Sequence, residues 1–370
     1  MTNLPPFRAD QVGSLLRPPE LREARAKARA GELSAEAVRA IEDRCIRDVI
    51  ATQESIGLQA VTDGELRRDF WHLDFIQHLD GVTLRPAVGM TFQAEDVPPM
   101  ASITGKVRCS RPILTDHFTF LKSAVAARPS SRATPKFTIP APSALHFRGG
   151  RNAISREAYP DLAEFWADAA RAYRDAIGHL AAAGCRYLQL DDVSFSYLCD
   201  EKVRDNFRAN GDDPATLHRT YADAIDGALA SRPAGMTVTM HTCRGNFRST
   251  WFAAGRYQDA VIETMFSAGV DAYFMEYDSE RAGGFEPLRL LPRTKKVVLG
   301  LVTTKSGKLE SKDELKRRID QAAKFVPLEN LCLSPQCGFA STHHGNALAV
   351  VEQWRKLERV VEVAREVWGD

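Results

Sequence analysis

Short β-branched, apolar runs alternate with longer amphipathic stretches along almost the whole 370-residue chain. The runs fall at 9–14, 60–65, 136–141, 187–192, 237–243, 272–277, 296–302 and 331–337. Most are apolar over four to seven consecutive positions, as strands covered on both faces are. Between them, 33–56, 160–183, 200–230, 257–268, 312–325 and 347–367 carry apolar residues at the three-to-four spacing of helices with one buried face. Eight strands that alternate with helices predict an α/β chain: a single (β/α)8 TIM barrel filling residues 1–370. Length alone would suggest two or three domains, but barrels of this class occupy such lengths as one unit. One stretch breaks the pattern. Residues 81–112 alternate like a hairpin (Val82-Thr-Leu-Arg, then Ile103-Thr-Gly-Lys-Val), which predicts an insertion after the second strand, on the loop side that carries function.

In such a barrel the carboxyl ends of the strands build the active site. Those ends hold Ser14, Asp63, Glu65, Asp191, Asp192, His241, Cys243, Glu276, Asp278, Lys305 and Cys337. His241-Thr-Cys243 is the sharpest feature. Side chains two apart on a strand point the same way, so an imidazole and a sulfur lie together at the rim. Cys337 ends the eighth run and Glu276 the sixth. Nitrogen, sulfur and carboxylate ligands that converge in this way suit tetrahedral Zn2+. A lone H-x-C pair is common in ordinary cores, where cysteine acts as a small hydrophobe; the strand-end placement of all four residues is what raises the metal reading. With a neutral His, two thiolates and one carboxylate, the site carries a formal charge of about −1. Such a charge keeps a metal-bound sulfur nucleophilic, which favours thiol alkylation over water activation.

The carboxylates have an ordinary alternative as helix caps or as partners of Arg67, Arg68 and Arg244. Gathered at one barrel mouth, they could instead hold the ammonium of an amino acid. Trp71, Phe147, Trp251 and Phe339 near the same rim are either packing or stacking walls for a flat ligand. Cys45, Cys109, Cys185, Cys199 and Cys332 read as structural.

Composition narrows the class further. With 49 Lys+Arg against 48 Asp+Glu the formal net charge is +1, so no global field draws the chain to nucleic acid or an anionic membrane. No apolar run approaches the ~18 residues of a spanning helix. Seven cysteines, an odd and dilute count, argue against a disulfide scaffold. The start lacks a basic segment followed by an apolar one, so a reducing cytoplasmic location is expected.

Val12-Gly-Ser14, Thr62-Asp-Gly-Glu65, Leu188-Gln-Leu-Asp191, His241-Thr-Cys243, Phe274-Met-Glu276 and Ser334-Pro-Gln-Cys337-Gly338 occur in this order. In these runs the chain resembles the catalytic C-terminal barrel of the cobalamin-independent methionine synthase family, and most of all its short single-domain bacterial relatives. The resemblance covers essentially the whole chain, and its most distinctive runs are 241–251 and 331–342. It implies a (β/α)8 barrel with His241, Cys243, Glu276 and Cys337 as zinc ligands. Glu65 and Asp191 would take the homocysteine amino group, and the Ser14 region its carboxylate. The implied reaction is methylation of homocysteine to methionine, as in a 5-methyltetrahydropteroyltriglutamate–homocysteine S-methyltransferase, with small-molecule substrates and no nucleic-acid or membrane partner.

Two departures bear on the donor. The additional N-terminal barrel of the full-length enzymes, which helps hold the polyglutamyl folate tail, has no counterpart here. Lys305 stands where the family carries the His that protonates the departing folate nitrogen. An ordinary lysine, with a pKa near ~10.4, is a poor acid at neutral pH. The donor is therefore methyltetrahydrofolate or another methyl source, including a corrinoid protein. The competing readings are a zinc alkyltransferase for a different thiol, such as a coenzyme-M-like one, and a zinc- or thiol-binding protein without turnover. A uroporphyrinogen-decarboxylase-like barrel would need no zinc, and the His–Cys–Glu–Cys set argues against it.

Overall fold

A computed structural model of the chain describes residues 4–86 and 98–369. Its strands are β1 (Ala60–Val61), β2 (Asp80–Arg85), β3 (Met100–Arg108), β4 (Thr134–Pro140), β5 (Tyr187–Asp192), β6 (Thr237–Thr242), β7 (Ala272–Glu276), β8 (Lys296–Val302) and β9 (Leu331–Pro335). The α-helices are α1 (Pro19–Arg29), α2 (Ala35–Ser55), α3 (Leu73–Ile76), α4 (Thr115–Ala126), α5 (Leu162–Ala182), α6 (Ser194–Tyr197), α7 (Glu201–Ala209), α8 (Leu217–Leu229), α9 (Asp259–Ser267), α10 (Lys312–Ala322) and α11 (Val350–Trp368). Seven strands pair in parallel in the order β1-β4-β5-β6-β7-β8-β9, and the helices between them make this an α/β fold whose sheet curls into a half-barrel. Among the described residues no helix is long and apolar enough to cross a membrane.

The first expected strand, 9–14, takes another form. It makes one parallel bridge, Ala9 to Leu333 on β9. On the opposite edge of the sheet, the Leu15 amide donates to Gly64 O at 2.9 Å. Between these points its carbonyls are taken by side chains rather than by a neighbouring strand. Lys136 donates to Gln11 O, Gln189 to Val12 O and Thr62 to Gly13 O. The Asp10 carboxylate accepts the Phe7 and Gln11 amides. Side-chain bonds of this kind satisfy a backbone without a ladder. The segment thus spans the gap between the sheet's two edges without being a regular strand.

The hairpin-like stretch is an antiparallel ribbon of β2 and β3, with Val82 opposite Ile103. The expected stretch 81–112 includes residues 87–97, which lie outside the described residues. A helix does follow the ribbon, α4, where none was expected. The expected helix 200–230 is two, α7 and α8, because Gly211-Asp-Asp-Pro214 intervenes and Gly211 adopts φ +87°. The packing face of α5 runs through Phe165, Ala169, Tyr173, Ala176 and Leu180. Inside the curl, Val12, Phe274, Val298 and Cys332 form a small apolar layer of their own. Phe274 pairs with Val298 and Val298 with Cys332, so the layer crosses three strands in register. Glu276 is two residues beyond Phe274, on the same face.

Candidate metal centre and substrate cavity

Register builds the centre. Asp191 on β5 pairs with His241 on β6, which puts a carboxylate beside the imidazole. Cys243 follows β6 immediately, its amide bonded to Asp192 O at 2.7 Å. Cys337 lies two residues past the end of β9. As a result one ligand atom from each of His241, Cys243, Glu276 and Cys337 falls within 4.8 Å of the others, and all four residues are buried.

The donor set fits a tetrahedral cation on three counts. The Cys243 and Cys337 sulfurs are 3.6 Å apart. Zinc bonds of 2.0–2.3 Å to four ligands imply ligand–ligand edges of about 3.3–3.8 Å. Neither ring nitrogen of His241 has a hydrogen-bond partner among the described residues, although the ring is only 2 % exposed. A buried imidazole without a partner is costly unless something else binds it. Lastly, the hydrogen bond to Cys337 and burial together hold the Cys243 thiol well above its usual pKa. Two adjacent buried sulfurs do not ionise together without a cation between them. Burial opposes a charged His241, but Cys243, Asp191 and Glu276 outweigh it and raise its pKa.

Glu276 is held from behind. Its Oε1 accepts the Arg244 amide at 3.1 Å and Asn246 Nδ2 at 2.8 Å, and Arg281 bonds its Oε2 at 2.9 Å. Asn246 also points Nδ2 at Cys243 Sγ, 3.6 Å away. Partners that orient a ligand are part of how such sites work. Asn246 was not anticipated, yet its place three residues past Cys243 in the same loop could have suggested it. The Arg244 guanidinium turns away, to Gly255 O and over the Tyr257 ring.

His241, Cys243 and Cys337 open into a cavity that Ser14, Glu65, Asp191 and Asp192 also line. Glu65 is strained into place. It adopts φ +55°, a left-handed conformation that a non-glycine residue holds only when its surroundings dictate it. Thr138 donates to its Oε1 at 2.9 Å, and Arg68 lies 3.8 Å from its Oε2. Gly13, at φ +145°, leaves the room: a Cβ there would come within 2.8 Å of Thr138 and 3.2 Å of Glu65. Asp191 accepts from Gln189 Nε2 at 2.7 Å. Burial, followed by the charge of Glu65, pushes its carboxyl up to about 7.

The other expected residues divide. Asp192 lines the cavity but its oxygens are occupied by Ser143 and by the Phe195 amide. Asp63 turns the β1 loop by accepting the Glu65 amide at 2.9 Å. Asp278 pairs with Arg281 at 2.7 Å and with Lys305 at 3.2 Å. Lys305 is not among the residues lining the cavity. Of the four aromatics, Trp71 and Phe147 line it, Trp251 is 49 % exposed with Arg281 over its ring, and Phe339 is buried in the core. Two polar lining residues, His72 and Arg148, were not foreseen. They belong to loops with no strand-end signal.

Comparison with known proteins points one way. The model of the cobalamin-independent synthase catalytic domain matches residues 7–366. The chain is 48% identical over 368 residues to the uncharacterized protein YxjH of Bacillus subtilis, covering 98% of this chain and 95% of that one. It is 24% identical over 341 residues to the methionine synthase of Saccharolobus solfataricus, covering 91% and 90%. The crystal structure of a candidate vitamin-B12-independent methionine synthase from Listeria monocytogenes superposes with a TM-score of 0.78 at 38% identity over 99% of both chains.

Proposed function

The chain belongs to the cobalamin-independent synthase catalytic-domain family, and from that premise we propose that it is a zinc-dependent methyltransferase that methylates the thiol of homocysteine to give methionine. The observation that carries the reading is a set of four convergent metal-type ligands, three of which line a cavity that the buried carboxylates of Glu65 and Asp191 also line. His241, Cys243, Glu276 and Cys337 would hold the ion. When bound, Zn2+ supplies Lewis-acid chemistry that acidifies a thiol and leaves it nucleophilic at neutral pH.

The chain's own residues do the rest. Glu65 and Asp191 receive the substrate ammonium, which supplies the positive charge that two neighbouring buried carboxylates lack. Ser14, which lines the same cavity, serves the substrate carboxylate. Asn246 and Arg281 keep Glu276 oriented. Lys305 occupies the family's proton-donor position, and its ion pair with Asp278 suits a charge-bearing support for the Arg281–Glu276 link. An acceptor that carries an ammonium would offset the mutual repulsion of Glu65 and Asp191, which favours the amino acid over a coenzyme-M-like thiol.

We read the 8–15 segment as the eighth, irregular member of a (β/α)8 barrel spanning the chain as one domain, with β2 and β3 as its insertion. The test of function is methionine formation from homocysteine and a panel of methyl donors: methyltetrahydrofolate, a methylcorrinoid and a sulfonium. The expected result is methionine from at least one donor, lost on chelation and restored by zinc. Full activity without metal, or no methionine from any donor, would refute it.

A further inference from the structure

Four backbone carbonyls from three loops converge on one buried guanidinium that does not itself line the cavity. Arg17 is 4 % exposed. Its Nη2 donates to Glu65 O at 3.0 Å and to Arg68 O at 2.9 Å, and its Nη1 donates to Ala340 O and, at 3.3 Å, to Leu15 O. Burial lowers its pKa to about 10, so the group stays cationic at neutral pH. Each loop it joins carries a residue of the site. Glu65 is in one, Ser14 adjoins Leu15 in the second, and Cys337 lies three residues before Ala340 in the third.

The same loops also meet directly, with no slack between them. The Phe339 amide donates to Ser14 O at 2.9 Å, as the Leu15 amide does to Gly64 O. A Cβ on Gly338 would fall 1.9 Å from Ser14 Oγ. Glu65 is held at both of its backbone ends: Asp63 accepts its amide at 2.9 Å and Arg17 takes its carbonyl. Its left-handed conformation persists only under constraint of this kind. Four carbonyl oxygens aimed at one point repel one another unless donors fill it. A guanidinium fills it with a planar, fixed fork of N–H groups, which the point charge of an ammonium does not reproduce.

An amino-acid thiol whose sulfur lies at the metal-type ligands and whose ammonium lies at Glu65 must span the distance between them. In this chain that span is set where the Glu65 loop is tied to the Cys337 turn. We propose that Arg17 is a positioning residue that fixes the spacing between the Glu65 carboxylate and the Cys337 sulfur, and that it thereby selects homocysteine over cysteine, which is one methylene shorter. Arg17 touches neither substrate nor ion and takes no part in bond making. The choice of acceptor rests on the methyltransferase reading above, whereas the tie between the two loops does not.

The test is calorimetric titration of zinc-loaded wild type, Arg17→Lys and Arg17→Gln with homocysteine and with cysteine, no methyl donor being present. Lysine keeps the charge without the fork, and glutamine keeps two N–H donors without the charge. The wild type should prefer homocysteine by about tenfold to two-hundredfold, the worth of one methylene at a shaped site. In both variants homocysteine should weaken by about tenfold or more while cysteine changes by less than about threefold, so that the preference collapses. Zinc content should stay at one ion per chain, and hydrogen exchange at 62–68 and at 338–341 should rise together. A purely structural role would lower Tm and leave the ratio of the two affinities as it was. An unchanged ratio in both variants, equal affinity of the wild type for the two thiols, or no homocysteine binding by the wild type would overturn the proposal. So would faster exchange in one loop alone, or the loss of zinc and of cooperative melting in both variants, since that makes Arg17 a residue of the fold. Failure to form methionine from any donor would count against the reaction alone, because the titration reads binding without turnover.

Discussion

Asp191→Asn should stabilise the zinc-free protein, and increasingly so toward alkaline pH. In the folded chain the Asp191 carboxyl is pushed up to about 7, against an ordinary value of 3.8, by burial and by Glu65. Below about pH 4 both folded and unfolded states hold the proton, so the substitution gains nothing there. Between 4 and 7 the unfolded chain releases the proton while the folded chain keeps it, and folding weakens by about 1.36 kcal/mol per pH unit. Above 7 both states are ionised and the loss is constant, with a ceiling of about 4 kcal/mol for a shift of about three units. An unfolding entropy of about 2.1 cal/mol/K per residue converts that ceiling to roughly 5 °C for a chain of this length. An Asn amide oxygen can still accept the Gln189 hydrogen bond, while the negative charge that favours a protonated His241 is removed. Scanning calorimetry of both proteins after chelation, from pH 4.5 to 8, should give a Tm difference that is small at the acid end and reaches several degrees at pH 8. A difference independent of pH, or a variant less stable than wild type at pH 8, would refute the reasoning.

The remaining expectations concern the loaded site. Elemental analysis of Cys243→Ser and Cys337→Ser should show most of the zinc gone, and full retention in both would remove the metal centre as drawn. Glu65→Gln and Asp191→Asn should keep zinc but weaken homocysteine about tenfold to a hundredfold, because a charge-assisted contact worth about 1.5–3 kcal/mol is lost; unchanged titration curves would return both carboxylates to a structural role. Lys305→Ala should leave zinc content intact and change the rate of methionine formation by less than about tenfold, or about 1.4 kcal/mol of barrier; a loss of several hundredfold would put the ammonium in the chemistry. Donors whose leaving group needs no proton should outperform methyltetrahydrofolate in steady-state assays, since the cavity lining holds no imidazole with an ordinary pKa free to act as acid. Rapid turnover of methyltetrahydrofolate that is abolished in Lys305→Ala would contradict this.

What the sequence disclosed about this site, and what it hid, follows from the geometry of strands. Period two is exact, so His241 and Cys243 had to share a face once 237–243 was read as a strand, and Glu276 and Cys337 joined them because each closes a strand run. The same rule cannot see across a register. That Asp191 pairs with His241 is a fact of β5–β6 alignment, and it is this pairing that sets a carboxylate beside the imidazole. The 9–14 run failed as a strand for a related reason: its alternation was right, but Lys136, Gln189 and Thr62 reach inward and take the carbonyls a neighbour would have used. Loop residues carry no period at all, which is why His72, Arg148 and Asn246 went unread. Their signal is energetic instead, a buried nitrogen with no partner or a carboxylate held from behind, and it exists only once the chain is folded. The legible part of the site is therefore the part that would hold the metal, fixed by strand ends. The illegible part is the loop-built wall of the same cavity, where His72 and Arg148 lie, because loops carry no periodic signal for the chain to disclose.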